Sequence, residues 1–156
     1  MLRLTTAAGE RLEIPAASIA MVAQLPDVEG CVVAFDLGCG STREVLSDSY
    51  GFVKKAAVDC LAMINPVEVR LAGAQQAEGA RPGLLFFSRD AIVARREVRG
   101  NDEGVKAIIT INVTGQPTPY PITDTLDEMD GVAAAEPTAE PDETNETEEE
   151  PEHAEQ

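Results

Sequence analysis

Through most of the first 125 residues, apolar and polar positions alternate with the two-residue period of strands. Leu2-Arg3-Leu4 and Leu12-Glu13-Ile14 flank the turn Ala8-Gly9-Glu10, which predicts a hairpin. Pro15 ends that pairing, since it has no N–H to donate. Ile19 to Leu25 reads as the next strand and Pro26 to Gly30 as a loop. Cys31 to Leu37 is nearly continuous in apolar residues, as a central strand covered on both faces would be. Gly38-Cys39-Gly40-Ser41 is a tight turn whose glycines permit positive φ, and Thr42 to Leu46 is a further strand. There the period changes. Ser47-Asp48-Ser49 supplies helix-capping side chains, and a helix is predicted from Tyr50 to Ile64. Val53, Ala57, Leu61 and Ile64 form its buried stripe, with Phe52, Ala56 and Cys60 beside it. Asn65-Pro66 stops it.

A second set follows. Strands are predicted at Val67 to Leu71, Leu84 to Phe87, Ile92 to Val98, Val105 to Val113 and Thr118 to Ile122. Pro119 and Pro121 make the last of these an edge strand. Thr123-Asp124-Thr125 then caps a short helix, Leu126 to Met129. The two sets overlay: Ile19 falls on Ile92 at an offset of 73, and Leu46-Ser47-Asp48-Ser49 on Ile122-Thr123-Asp124-Thr125 at 76. Gly30 is laid on Gly104, Phe35 on Ile108 or Ile109, and Gly40 on Gly115. The expected fold class is α+β and β-rich. It comprises two small antiparallel-sheet repeats, residues 1–66 and 67–131, each followed by a helix and packed as a pseudo-dimer. A single α+β domain whose strands recur at ordinary spacing is the alternative.

Composition changes the picture only at the C-terminus. Residues 1–123 hold 12 basic and 14 acidic side chains, whereas 124–156 hold 14 acidic and none basic. The formal charge of −16 therefore belongs mainly to the tail. Residues 132–156 are Ala, Glu, Pro and Thr with hardly a bulky apolar side chain, so burial cannot offset their ordering entropy, and disorder is expected. Cys31, Cys39 and Cys60 match no metal-ligand spacing and read as reduced, buried small residues. Met1 to Thr6 reads as a strand, not a signal peptide, and no apolar run approaches the roughly 20 residues of a membrane span. A cytoplasmic protein without membrane contact is expected.

No catalytic constellation stands out. The one histidine, His153, lies in the tail, which argues against histidine-based catalysis and histidine-rich metal sites. Asn101-Asp102-Glu103-Gly104 lacks the ligand spacing of a calcium loop and reads as a hairpin turn. Gly38 to Ser41 leads into a strand, so a phosphate cradle would lack its helix N-terminus. Neither metal nor cofactor is expected. One basic cluster remains, formed by Arg89, Arg95, Arg96, Arg99 and Lys106, with Phe86 and Phe87 nearby in sequence. Arginines beside an aromatic suit single-stranded nucleic acid, with Phe87 as the stacking residue. A solvated strand face of alternating charge is the plainer reading. The acidic tail reads in three ways: as charge that keeps the protein soluble, as a docking segment in which Glu148, Glu149, Glu150 and Glu152 meet a basic patch of a partner, or as a competitor of nucleic acid at the arginines.

Leu2-Arg3-Leu4-Thr5, Gly9, Ile14-Pro15, Ile19, the apolar strand to Leu37, the Gly turn and Val45 before a capped helix together resemble the small flagellar FlbD-like family. The resemblance covers about 60 residues. It implies a small non-enzymatic protein that works through contacts with other proteins, and it implies no catalytic residue. The second set, the Asn65-Pro66 joint and the tail depart from that family. The expected function is a non-enzymatic binding or adaptor protein. The alternative is a single-stranded nucleic-acid-binding protein of phage type with an acidic regulatory or partner-docking tail.

Overall fold

The computed structural model describes residues 1–73, 79–101, 103–113 and 115–132. The first hairpin forms as expected from β1 (Leu2–Thr5) and β2 (Arg11–Ile14), with Leu4 opposite Leu12. After Pro15 the chain makes one turn of 3-10 helix, Ala16–Ser18, which the alternation does not foretell. It continues as β3 (Ile19–Gln24), β4 (Cys31–Asp36), β5 (Ser41–Leu46) and α1 (Tyr50–Asp59). The same order then recurs: β6 (Pro66–Arg70), β7 (Leu84–Ser88), a 3-10 turn at Arg89–Ala91, β8 (Ile92–Glu97), β9 (Ala107–Asn112), β10 (Pro117–Ile122) and α2 (Leu126–Met129). The fold class is α+β and β-rich.

All strand pairs are antiparallel. The largest sheet has the order β5-β4-β3-β7-β6, and smaller sheets have the orders β1-β2 and β10-β9-β8. Single bridges connect these sheets, Thr6 with Leu46 and Leu71 with Ile122. Each half therefore runs in one strand sequence, β2-β1-β5-β4-β3 and β7-β6-β10-β9-β8. The halves are zipped where β3 meets β7, with Met21 opposite Phe87 and Val22 opposite Phe86. β10, with its three prolines, lies at the end of its three-stranded sheet, but it is not the free edge the prolines predict, because the bonds around Leu71 and Ile122 tie its end to β6.

Two apolar cores result. Leu4, Ile14, Ile19, Val22, Val33, Phe35 and Leu46 gather in the first with Val53 and Ala57 of α1. Val69, Leu85, Phe87, Ile109, Ile111, Ile122 and Met129 of α2 gather in the second. The β3–β7 seam interleaves them. Successive side chains of a strand point to opposite faces, so β3 sends Val22 to the first core and Met21 and Ala23 to the second. In return β7 sends Phe86 into the first. Burying side chains of this size contributes about 1.5–3 kcal/mol each, so the seam is a main source of cohesion between the halves.

Local detail recurs as well. Each third strand carries a register shift just after its start, between Ile19 and Met21 and between Ile92 and Ala94. Both helices have a hydroxyl N-cap: the Ser49 side chain accepts from the Phe52 N–H, and Thr125 forms a reciprocal capping box with Glu128. Both end in the same six-residue closure. In α1, the Leu61 N–H donates to Val58 O and the Ala62 N–H to Ala57 O. In α2, Gly131 donates to Glu128 O and Val132 to Asp127 O.

That closure corrects the expected helix. Leu61 adopts φ 55 and Asn65 φ 46, so α1 ends at Asp59 instead of reaching Ile64. Val53 and Ala57 are buried as expected, but Leu61 and Ile64 are exposed, because no helix carries them onto the inner face. The cysteines also divide: Cys31 is buried in β4, whereas Cys39 and Cys60 are exposed. The register also adjusts the overlay. Cys31 pairs with Leu46 as Ala107 pairs with Ile122, and Ile19 pairs with Phe35 as Ile92 pairs with Ile111. Phe35 thus corresponds to Ile111, and Gly30 to Lys106. The drift in offset comes from the longer loop between β8 and β9.

Candidate interaction surface

The outer side of α1 and the turn after it carry the apolar residues that the core leaves out. Phe52, Val58, Leu61 and Ile64 are all exposed, Leu61 at 84% and Ile64 at 67%. Val58 and Leu61 are tied by the bond that closes the helix. Gly131 holds the corresponding place after α2, with φ 72. A left-handed conformation costs a residue with a Cβ about 1–2 kcal/mol, and glycine avoids that cost. The chain therefore keeps a large apolar side chain in solvent at a position where a glycine would be more stable.

Elsewhere on α1 lies a polar trio. The Tyr50 hydroxyl donates to Glu68 Oε2 at 2.6 Å, and Lys54 Nζ bonds the same oxygen at 2.5 Å. Lys54 also sits 5.1 Å from the Phe86 ring centroid. Burial, then the bond to Glu68, raises the Tyr50 pKa well above its ordinary value. For Glu68, partial burial pushes upward, but the bonds from Lys54 and Tyr50 prevail and lower its pKa. The trio joins α1 to β6, and so one half to the other. A tyrosine kept protonated and a carboxylate kept charged make a structural clasp rather than a proton-transfer pair.

The predicted nucleic-acid residues separate. Phe87 is fully buried in the second core and Phe86 nearly so in the first, because β7 is covered on both faces. Neither offers a ring face on which a base can stack, so the aromatic half of the expected groove is not assembled. Arg89 and Arg95 converge on Asp130, which caps the end of α2, at 3.0 and 2.7 Å. The bond from Arg95, with help from Arg89, holds the Asp130 carboxyl below its usual range, and it raises Arg95 in turn. Arg96 and Lys106 are exposed, and Arg99 lies 3.6 Å from Glu97. Asp130 is absent from the sequence-based site. It lies 35 residues from Arg95, and only the return of α2 over β8 unites them. His153 and the tail glutamates Glu148, Glu149, Glu150 and Glu152 lie outside the described residues.

Among the described residues no three His, Cys, Asp or Glu side chains gather as a metal site, and no helix is long and apolar enough to cross a membrane. Burial, then the nearby Asp48 charge, pushes the Cys31 thiol up to about 11, the opposite of an activated nucleophile. Comparison with family models, curated proteins and solved structures finds no match for this chain.

Proposed function

We propose that the chain is a non-enzymatic adaptor that acts through protein contacts. It consists of two copies of one β-rich, helix-terminated unit, packed as a pseudo-dimer. The reading of two units, near residues 1–66 and 67–131, rests on the repeated element order, the matched register shifts and the matched helix ends. The FlbD-like resemblance of the first unit agrees with this and supplies the idea of a fold that works by contact. It is carried over without the flagellar role. The observation that carries the function is Leu61. An exposed leucine held at a glycine position serves the surface and not the core. Val58 and Ile64 are further exposed apolar side chains at the end of α1 and after it, and exposed apolar patches mark docking sites. The tail glutamates Glu148, Glu149, Glu150 and Glu152 would add attraction to a partner with a basic patch.

The test is affinity capture with the full chain and with a Leu61→Ser, Ile64→Ser variant, the captured protein then being identified and titrated. A partner that binds the native chain and is lost with the variant supports the reading. A partner retained at unchanged affinity removes the patch from it.

A second reading is single-stranded nucleic-acid binding of phage type. Exposed Arg96 in β8 and Lys106 just before β9 favour it, and the burial of Phe87 weighs against it. Oligonucleotide titration at low salt, with and without the tail, decides it. Affinity that falls as salt rises and increases when the tail is removed supports it.

A further inference from the structure

Each half ends in an edge strand that has a partner on one side only among the described residues: β2 in the first half and β8 in the second. The halves are already joined through the other member of each corner. β3, which follows the first 3-10 turn, pairs with β7, which precedes the second. Taking the halves as equivalent units, as proposed above, β8 corresponds to β3 and β2 to β7, both at the offset of 73. The seam between the halves therefore has an unmade twin.

The register of that twin follows from the seam. Met21 opposite Phe87, Val22 opposite Phe86, Ala23 opposite Leu85 and Gln24 opposite Leu84 become Ala94 opposite Ile14, Arg95 opposite Glu13, Arg96 opposite Leu12 and Glu97 opposite Arg11. Two oppositely charged pairs arise on one face, Arg95 with Glu13 and Glu97 with Arg11. Nothing in the made seam requires this, since its residues are apolar apart from Gln24. In the structure, Arg11 and Glu13 contact each other along β2, and Arg89 and Arg95 share the single carboxylate of Asp130. Two guanidinium groups thus share one carboxylate at Asp130, and Glu13 of a second copy would give Arg95 a carboxylate partner of its own.

We propose that β8 of one chain pairs antiparallel with β2 of a second copy in this register. The association extends the sheet by main-chain bonds and is matched by the charges of Arg95, Glu97, Arg11 and Glu13. A free strand edge is a template for such addition. Charge complementarity between these two edges selects this same chain as the occupant. The joint is polar where the β3–β7 seam is apolar, so it is weaker, reversible and screened by salt.

Sedimentation velocity of the full chain over a range of concentrations, at low and high salt, tests it. Reversible association that weakens as salt rises is expected. Arg11→Glu and Glu97→Arg are the informative variants, since neither touches Asp130. Each alone weakens association roughly tenfold, by turning an attractive cross-strand pair into a repulsive one. Together they restore it. A monomer at every concentration overturns the proposal. So does self-association that either single variant leaves unchanged, or that the double variant fails to recover, since another surface would then be responsible. Failure here leaves the two-unit reading standing, because that reading is tested on bonds within one chain.

Discussion

Asp48 and Asp124 make the same bond in the two halves. Each lies two residues after the last strand of its half, and each accepts through Oδ2 from the backbone N–H that ends a hairpin strand, Thr5 at 2.6 Å and Arg70 at 2.5 Å. The backbone repeats around them: Ser47 donates to Thr5 O and Thr123 to Arg70 O, while Ala7 donates to Val45 O and Ala72 to Pro121 O. Each aspartate thus fastens its first hairpin strand to the strand that precedes its helix.

Equivalent bonds should have equivalent effects. Asp48→Ala and Asp124→Ala are each expected to cost about 1–2 kcal/mol, because a charge-assisted bond is lost at a partly exposed site. Urea unfolding of the two variants measures this. A neutral result at one site beside a clear loss at the other contradicts the equivalence of the halves.

Leu61 tests the balance between stability and surface. Leu61→Gly should stabilise the chain by about 1 kcal/mol through relief of the left-handed conformation, and Gly131→Leu should destabilise it by a similar amount. Leu61→Asp should leave the melting temperature nearly unchanged, whereas Val53→Asp should unfold the chain, because Val53 is fully buried. Thermal melts of the four variants check the series. A collapse on Leu61→Asp would show that the side chain is packed.

Gly30 reports on the closeness of β4 and β5. A Cβ there would lie 1.8 Å from the Leu46 carbonyl oxygen, which is backbone and cannot rotate away. Gly30→Ala should therefore cost at least about 2 kcal/mol. Gly38→Ala meets no atom within 4 Å, and its effect comes only from φ 85. Denaturation midpoints separate the two cases, and a tolerated Gly30→Ala would refute the close approach.

The thiols and the clasp set the pH limits. Cys39 and Cys60 should react at once with a thiol reagent at neutral pH, and Cys31 only on unfolding. The folded state raises the Cys31 pKa from 9.0 to about 11. Its contribution is therefore whole below pH 9 and lost as pH rises through that interval. The raised Tyr50 pKa adds a loss of the same sign above its ordinary value of 10.0. Glu68 is lowered from 4.5, so its contribution is present above that value and lost as pH falls below it. Stability measured against pH should form a plateau between these limits. Cys31→Ala should remove part of the alkaline fall, and Glu68→Gln part of the acid fall.

Local pattern gave the strands of this protein, their order and the starts of its two helices. Two-residue alternation, Pro15, the glycine turns and the hydroxyl caps act within a few neighbours of each residue, so they can be read from the chain. The burial of Val53 and Ala57 was legible for the same reason. The rest came from the closure of α1 and from long-range packing. A backbone closure, invisible to the apolar period, put Leu61 and Ile64 in solvent. Pairing of β3 with β7 across the chain buried Phe86 and Phe87 on opposite faces of one strand and removed them from any nucleic-acid groove. Asp130 met Arg89 and Arg95 only because α2 folds back over β8. Which edges are joined and which stay free depends on contacts between residues far apart in the chain. Local pattern does not encode such contacts, and they decide where a surface can act.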